Sequence, residues 1–395
     1  MRSVVIVGAS LAGLSAAQAL RRRGFDGVIS LVGDEMHHPY QRPPLSKQFL
    51  AGTWDRSQVD LRVADGLQLE WYLGVRARAV DLACREVTLA DDRRLRFDAL
   101  VIAAGARARK PRWYAELDGV FTLRTIDDAM ALRTHLAERR RKVAIVGAGF
   151  IGSETAATLR TLGCDVTLID LDSLPMLRAL GRQLAGVCLR LHQAHGVRTL
   201  LGVAVEKLLG HSSVTGVQLV DGTIIEADCV VVGVGVIPNV EWLQGSGLGI
   251  DGGVVCDATC AVEGAEHVVA AGDVARFRHP HYGRIRIEHW EHAIAQGEAA
   301  AQTLLAAPGR APTYAPVPFF WSDQYDCKLQ LVGIPQPDDV MRVVEGSLDA
   351  PRFVALFERD ARTTGAFLFN SMHRAALYRQ TVAAGVTGIP QENQV

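Results

Sequence analysis

A strand, a glycine-rich loop and a helix are predicted twice in this chain, about 140 residues apart, and this repeat constrains the fold more than any other feature. In the second copy, the apolar run Val143–Val146 leads into the loop Gly147–Gly152 (GAGFIG), which has all three glycines of a G-x-G-x-x-G pattern. The next predicted strand, Val166–Ile169, is followed by Asp170, where an acidic side chain accepts hydrogen bonds from ribose hydroxyls. Small residues in such a loop let the backbone approach a pyrophosphate at the helix N-terminus. The second copy therefore predicts a dinucleotide site.

The first copy has the same order with one departure. The loop Gly8–Gly13 (GASLAG) follows the apolar run Val4–Val7 and precedes a predicted helix, but Ser10 stands where the pattern has its second glycine. The strand Val28–Val32 leads to Asp34, which we predict to accept from ribose hydroxyls. Taken alone, this copy also fits a plain strand, turn and helix. The repeat favours a second dinucleotide site, and one chain with two such sites is typical of a flavoenzyme.

Length, net charge and cysteine content limit the class of protein to which this chain can belong. The 395 residues predict two or three domains, and the net charge of -1 indicates neither a nucleic-acid partner nor an anionic membrane. No run of 18 apolar residues occurs and the first strand begins too early for a signal peptide, so we expect a cytoplasmic protein. The seven cysteines contain no C-x-x-C pair, which argues against a disulfide framework and a metal site.

The rest of the chain predicts an α/β fold with two Rossmann-like dinucleotide-binding domains and a C-terminal α+β domain with an antiparallel sheet. The first domain is expected to be discontinuous, because a glycine-proline segment near residue 239 returns the chain to it. The predicted domains are residues 1–108 with 240–312, residues 109–239, and residues 313–395. Further predicted strands are residues 95–103, 267–271, 328–332, 340–344, 352–357 and 365–369, with helices at 288–305 and 373–384.

Two basic segments lie outside the glycine loops. Prolines stiffen the proline loop, Pro39–Lys47, and present Arg42 and Lys47 from an extended backbone suited to cover an anionic cofactor, although a solvated turn is also possible. The run Arg139–Lys142 is interpreted as the solvated approach to a strand.

Taken together, these motifs resemble the flavoprotein family that includes glutathione reductase, and within it the bacterial ferredoxin reductases of the putidaredoxin reductase type. The resemblance spans nearly the whole chain. Three departures are Ser10, Ala104 in place of a usual threonine, and a C-terminus shorter than in longer members. The matching segments are Arg42–Lys47, Gly147–Glu154, Gly235–Asn239, Gly272–Asp273, Glu288–Gln296 and Phe320–Tyr325.

The resemblance implies FAD in the first domain, NADH in the second, and a third domain that helps to meet an iron-sulfur ferredoxin, of the [2Fe-2S] type, which feeds an oxygenase. It implies that Lys47 and Glu154 form a catalytic ion pair beside the reactive face of the flavin. The residues matched to FAD contacts are Gly8, Ala12, Gly13, Asp34, Arg42, Lys47, Ala77, Arg124, Asp273 and Trp290. Those assigned to NAD are Gly147, Gly149, Ile151, Gly152, Glu154, Asp170, Arg178 and Gly235.

The expected reaction is hydride transfer from NADH to FAD, followed by one-electron transfer to the ferredoxin. Asp170 favours NADH because it repels a 2′-phosphate; Asp172 adds to that repulsion, and Arg178 is the nearby cation that offsets it. The alternatives are an NADH oxidase or disulfide reductase of the same broad family, and a flavin sensor that responds to NADH.

The basic segment that follows Asp273 is the predicted docking surface for the ferredoxin. It contains no acidic residue, and Trp321 is expected to add an aromatic contact, although an exposed loop and a core tryptophan are the alternatives. We expect a monomer or a weak dimer. The basic residues are Arg276, Arg278, Arg284 and Arg286, with His279 and His281.

Overall fold

A computed structural model describes residues 1–137 and 141–385 of the chain. These residues form two compact units. Unit 1 comprises Met1–Gln41, Val59–Arg107 and Ile237–Pro318, and unit 2 comprises Arg42–Gln58, Ala108–Val236 and the chain from Phe319 onwards. The three-domain division stays a prediction, and residues 42–58, assigned by sequence to the first domain, group with unit 2. Arg139 and Arg140 of the basic run lie outside the described residues.

Unit 1 is built on a five-stranded parallel sheet in which four strands are largely apolar and buried, and the edge strand Glu70–Tyr72 is only partly buried. The first strand of the chain lies in its middle, so the loop that follows it leaves the sheet where the strand order reverses, which is where nucleotides bind in open α/β sheets. Two helices, Leu11–Arg22 and Trp290–Leu305, pack against each other beside this sheet. The strands, in spatial order, are Val268–Ala270, Ala99–Ile102, Ser3–Val7, Val28–Val32 and Glu70–Tyr72.

Unit 1 also contains two three-stranded sheets. The buried strand predicted within residues 95–103 is confirmed but shorter than that range: it spans Ala99–Ile102, and residues 95 and 96 belong to the strand Arg94–Arg96. The division falls at Asp98, whose carboxylate accepts backbone N–H groups of Arg2 and Ser3 and so turns the chain from one sheet into the other. The remaining elements are Ala77–Asp81, Glu86–Leu89, Glu241–Leu243, Val254–Cys256, Gly272–Val274, Ala275–His279 and Gly283–Ile285; Arg56–Val59, Ala106–Ala108 and Val236–Pro238 lie at the unit boundaries.

Unit 2 repeats the parallel architecture. Its sheet places Lys142–Val146 in the middle, with Asp165–Asp170 on one side and Cys229–Val232 on the other. The outer strands are Arg198–Leu201 and Val120–Thr122. The helices are Pro43–Ser46 (3₁₀), Ile126–Ala137, Phe150–Thr161 and Leu177–Ala194, and a small antiparallel sheet comprises Val205–Gly210, Val214–Leu219 and Ile224–Glu226.

The C-terminal part of unit 2 is a five-stranded antiparallel sheet, as predicted. Its first strand was not predicted, because the inward positions Ser322 and Gln324 are polar and interrupt the apolar alternation. The α-helix begins at Ala375, after a 3₁₀ turn at Met372–Arg374. The strands, in spatial order, are Phe319–Gln324, Cys327–Gly333, Arg362–Phe369, Phe353–Arg359 and Val340–Glu345, and the helix is Ala375–Ala384.

Candidate nucleotide-binding sites

The second glycine loop, Gly147–Gly152, has the shape needed to hold a pyrophosphate. A Cβ on Gly147 would lie 2.3 Å from the carbonyl oxygen of Gly233, and one on Gly152 would lie 1.8 Å from that of Gly147, so packing of the protein requires both glycines. A Cβ on Gly149, in contrast, would meet nothing within 4 Å. Gly149 therefore leaves open space at the N-terminus of the helix Phe150–Thr161, and this space fits a phosphate group.

Other residues assigned to this site lie around the loop. Asp170 accepts hydrogen bonds from the backbone N–H of Ala148 and, at 2.7 Å, from that of Asp172, which places its carboxylate against the glycine loop. Ile151 is exposed on the first turn of the helix, and Gly235, with a φ of +94°, follows the neighbouring strand Cys229–Val232. These residues lie at the carboxyl edge of one parallel sheet, and their contacts with NADH stay a prediction.

The first glycine loop, Gly8–Gly13, is built in the same way. A Cβ on Gly8 would lie 1.9 Å from the carbonyl oxygen of Ala103, and one on Gly13 would lie 1.9 Å from that of Gly8. Ser10 precedes the helix with an extended backbone and forms no capping hydrogen bond with it. It occupies the position of Gly149, where the second loop has open space, so its side chain is compatible with the same loop geometry.

The parallel sheet of unit 1 brings further predicted FAD residues to the edge of this loop. Asp34 is exposed after the strand Val28–Val32, and Asp273 lies in the turn after Val268–Ala270. Ala12 is buried, and a Cβ on Gly272 would lie 2.9 Å from the Ala12 Cβ. Trp290 is half-buried at the start of its helix. Ala77 lies in a separate antiparallel sheet, outside the parallel sheet that carries the loop.

Sequence reasoning missed two polar residues near this edge. Gln296 is fully buried and accepts the backbone N–H of Gly272 at 2.8 Å, while its Nε2 has no hydrogen-bond partner among the described residues. A buried amide without a partner is costly unless a ligand or water satisfies it. Glu35, next to Asp34, accepts a hydrogen bond from the Tyr40 hydroxyl. Gln296 ends the matching segment Glu288–Gln296 but was not assigned to the site, and Glu35 carries no motif signal because glutamate occurs throughout the chain.

Unit 2 brings together the two predicted catalytic residues, which lie 107 positions apart. Lys47 Nζ is 2.9 Å from Glu154 Oε2, and only 9% and 4% of the two side chains are exposed. The Ser46 hydroxyl donates to the same oxygen at 2.5 Å, and the Thr158 hydroxyl donates to the Ser46 carbonyl oxygen at 2.8 Å. These bonds explain why residues 42–58 group with unit 2. The role of the ion pair in the reaction stays a prediction.

The other cations assigned to FAD also lie in unit 2. Arg42 donates from Nη1 to the carbonyl oxygen of Arg124 at 2.8 Å, which joins the proline loop to the segment before the helix Ile126–Ala137. Ser46 was not predicted as a site residue, because a single serine in a proline-rich loop has no distinctive spacing.

The cysteines lack the environment of a redox centre. Burial raises the pKa of Cys188 and of Cys260 to about 12, and it raises the pKa of Cys256 well above its usual range. A reactive cysteine needs a lowered pKa because the thiolate is the nucleophile. No group of three His, Cys, Asp or Glu side chains able to hold a metal ion occurs in residues 1–137 and 141–385.

The predicted docking surface stays a prediction, and most of its arginines have acidic partners. Three of its four arginines are paired with acids: Arg276 with Asp251, Arg284 with Glu263 through bonds of 2.7 and 3.0 Å, and Arg286 with Glu288 at 2.6 Å. Two of these acids come from sequence-distant segments, which a search of the local sequence overlooks. His279 is buried and contacts the Pro316 carbonyl oxygen.

Arg278 and Trp321 are the remaining arginine and the tryptophan of the predicted docking surface. Arg278 is exposed and forms no ion pair within the described part of the chain. Trp321 is half-buried on the first strand of the C-terminal sheet. The centres of the Trp321 and Phe319 rings are 6.4 Å apart. Arg278 belongs to unit 1 and Trp321 to unit 2.

Comparison with known proteins identifies the family. A model of the pyridine nucleotide-disulphide oxidoreductase family matches residues 2–297. The chain belongs to this family. A second model, described as the reductase C-terminal domain, matches residues 319–393. Pyridine nucleotide-disulphide oxidoreductases are enzymes that use FAD and NAD(P)H, so the predicted enzyme class and cofactors are confirmed. The predicted fold class is confirmed as well.

Relatives within this family resemble the chain over nearly its whole length. Rhodocoxin reductase of Rhodococcus erythropolis is 37% identical, covering 99% of this chain and 91% of the relative. The ferredoxin--NAD(+) reductase component of the anthranilate 1,2-dioxygenase system of Burkholderia cepacia is 36% identical, covering 98% and 96%. The covalent putidaredoxin reductase-putidaredoxin complex contains a similar structure, with a TM-score of 0.90 and 32% identity over 97% and 92% of the two chains. The resemblance to ferredoxin reductases is confirmed.

Proposed function

We propose that this protein is an NADH:ferredoxin oxidoreductase that supplies electrons, through an iron-sulfur ferredoxin, to an oxygenase. The observation that carries this proposal is the similarity to ferredoxin reductases of oxygenase systems over almost the entire chain, including both glycine loops. FAD, when bound, supplies the chemistry by accepting a hydride and releasing electrons singly. Among the described residues, no helix has the length and apolar character needed to cross a membrane.

The residues of the chain bind and orient the two nucleotides. The first glycine loop would hold the pyrophosphate of FAD, with Asp34 and Asp273 near its hydroxyl groups. The second loop would hold the pyrophosphate of NADH, with Asp170 beside it. The buried Lys47–Glu154 pair supplies a fixed charge that does not reorganise during hydride transfer.

Turnover with NADH and a panel of [2Fe-2S] ferredoxins, followed by cytochrome c reduction, tests the proposal. We expect at least one ferredoxin to raise cytochrome c reduction well above the rate without ferredoxin. Fast oxygen consumption that no ferredoxin alters would instead indicate an NADH oxidase. A single slow reduction without turnover would indicate a sensor. A disulfide reductase is disfavoured, because burial raises the pKa of the Cys188, Cys256 and Cys260 thiols.

We expect NADH to be preferred over NADPH. Asp170 lies against the second glycine loop and Asp172 lies two residues further on, so two carboxylates face the place where a 2′-phosphate would bring negative charge. Steady-state kcat/KM for both nucleotides with ferricyanide as acceptor measures the preference. An equal or higher value for NADPH would show that the assignment of Asp170 is wrong.

Reversing the charge of Arg278 is expected to raise the KM for ferredoxin about fivefold at low salt, because this exposed arginine is not neutralised by a neighbouring acid. The difference between Arg278→Glu and wild type should shrink as ionic strength rises, and ferricyanide reduction should be unchanged. Arg310→Glu, at another exposed arginine of unit 1 that forms no ion pair within the described residues, is the matched control. Equal KM values for the two variants at every salt concentration would place docking elsewhere.

A further inference from the structure

An ion pair lies just beyond the strand Asp165–Asp170 in unit 2. Asp172 and Arg178 are joined by two bonds: Nε to Oδ2 at 2.9 Å and Nη2 to Oδ1 at 3.2 Å. The Arg178 side chain is 80% exposed, whereas that of Asp172 is 28% exposed. The arginine is therefore accessible to a ligand from solvent, but its guanidinium is already engaged by a carboxylate with two-point geometry.

The backbone fixes the position of Asp172. Its N–H donates to Asp170 Oδ1 at 2.7 Å, and its carbonyl oxygen accepts the N–H of Gly202 at 3.0 Å. Asp170 is fixed in turn, because Ala148 N–H donates to its other carboxylate oxygen and Val203 N–H donates to its carbonyl at 3.0 Å. The carboxylate that engages Arg178 is therefore anchored to the glycine loop through Asp170.

Sites of this architecture select between the two nicotinamide nucleotides at this strand end. An acid there binds the ribose hydroxyls of NADH, while a nearby arginine accommodates the 2′-phosphate of NADPH. This chain has both kinds of residue. We infer that Asp172 determines nucleotide selectivity by holding Arg178 away from a 2′-phosphate, an inference that rests on the proposed binding of NADH at the second glycine loop.

Two effects of Asp172 act in the same direction. Its negative charge repels a 2′-phosphate directly, and its pairing engages Arg178, which would otherwise be available to bind that phosphate. The inference requires the second effect, because charge repulsion alone would operate whether or not Arg178 were present. A double-mutant cycle separates the two effects. It compares the gain in affinity for a 2′-phosphate ligand when the Asp172 charge is removed in the presence of Arg178 with the gain in its absence.

The experiment measures binding to the FAD-loaded protein by calorimetry, with adenosine 2′,5′-bisphosphate and 5′-AMP as probes. Asp172→Asn keeps the shape of the side chain and removes its charge. We expect this variant to bind the bisphosphate about tenfold more tightly, and its affinity for 5′-AMP to change less than about twofold. Arg178→Ala alone should not tighten binding of either probe, because it leaves the Asp172 carboxylate in place. The double variant Asp172→Asn/Arg178→Ala should lose most of the gain in bisphosphate affinity. kcat/KM for NADPH should follow the bisphosphate affinities.

Asp165→Asn is the matched control, because Asp165 is an exposed acid at the opposite end of the same strand. It should leave both affinities unchanged. The inference is overturned if Asp172→Asn brings no gain for the bisphosphate, or if the double variant keeps the full gain, which would assign selectivity to charge alone. A wild-type protein that binds neither 5′-AMP nor NAD⁺ would overturn the proposed function together with the inference. NAD⁺ binding with unchanged selectivity in Asp172→Asn would overturn the inference alone.

Discussion

Replacing Lys47 by methionine is expected to slow reduction of the bound FAD by NADH about a hundredfold, because it removes a preorganised buried charge. Hydride transfer places negative charge on the flavin, and an ammonium held by Glu154 and excluded from water stabilises such charge more than a solvated one does. FAD content should remain close to that of wild type. Stopped-flow absorbance of the flavin after mixing with NADH measures the effect.

The same substitution should also destabilise unit 2. It leaves the Glu154 carboxylate buried without its cation, and breaking such a pair costs about 3 kcal/mol or more. Neutralising both partners, in Lys47→Met/Glu154→Gln, should recover most of that loss while flavin reduction stays slow. Urea unfolding of the single and double variants measures the stability change, and the comparison separates a structural role from a catalytic one.

Lys142→Met is the matched control for this prediction. Lys142 forms an ion pair with Glu226 at 2.7 Å, similar in length to the Lys47–Glu154 pair, but both side chains are more than half exposed. Exposed ion pairs contribute about 1 kcal/mol or less, so neither stability nor flavin reduction should change greatly. Wild-type rates of flavin reduction in Lys47→Met would show that the pair has only a structural role.

The glycine loops were predictable from sequence because their requirement is local. Gly8 and Gly147 have positive φ values, and each lies so close to a backbone carbonyl that a Cβ would not fit. The apolar strands that precede them are equally local signals. The fold class and the geometry of the two glycine loops therefore followed from short segments. The pairing of Lys47 with Glu154 followed only from the resemblance to a family, since no spacing rule connects residues 107 positions apart.

Interactions made by distant segments account for what the sequence did not predict. The arginines after Asp273 form a basic run in sequence, but folding brings Asp251 and Glu263 beside Arg276 and Arg284 and neutralises most of it. The strand Phe319–Gln324 was missed because Ser322 and Gln324 face inward and bond to each other. Hydrophobic periodicity cannot reveal a strand whose inward positions are polar.

Acidification is expected to destabilise both units through buried histidines. Burial lowers the pKa of His292, in unit 1, to about 3 and the pKa of His192, in unit 2, to about 4, against an ordinary value of 6.5. Each ring bonds through Nδ1 to a tyrosine hydroxyl, Tyr314 at 3.0 Å or Tyr325 at 2.9 Å, and neither Nε2 has a partner among the described residues. Protonating the ring of His192 would therefore bury a charge without a hydrogen-bond acceptor at Nε2, and burial likewise opposes protonation of His292.

The direction in which pH changes stability follows from the lowered pKa values of His292 and His192. Above pH 6.5 both histidines are neutral in the folded and the unfolded protein, so their contribution to stability is fully present. As the pH falls below 6.5, the unfolded chain binds protons that the folded chain does not, and each histidine lowers the free energy of unfolding by about 1.4 kcal/mol per pH unit. At His292, nearby His289 and His279 also lower the pKa, whereas Asp273 and a hydrogen bond with the Gln296 side chain raise it. At His192, nearby His195 also lowers the pKa.

At pH 4.5 each histidine is therefore expected to lower the free energy of unfolding of its unit by about 3 kcal/mol relative to neutral pH. Hydrogen exchange of peptides from the two units, measured on the FAD-loaded protein between pH 7 and 4.5 after correction for intrinsic exchange, reports each unit separately. His292→Asn retains a polar atom toward Tyr314 and should flatten the pH dependence of unit 1 only, whereas His192→Asn should flatten that of unit 2 only. His211→Asn, at an exposed turn, should flatten neither. A pH dependence that both buried variants leave unchanged would assign acid sensitivity to the carboxylates instead, because protonation of paired acids also lowers stability as the pH falls.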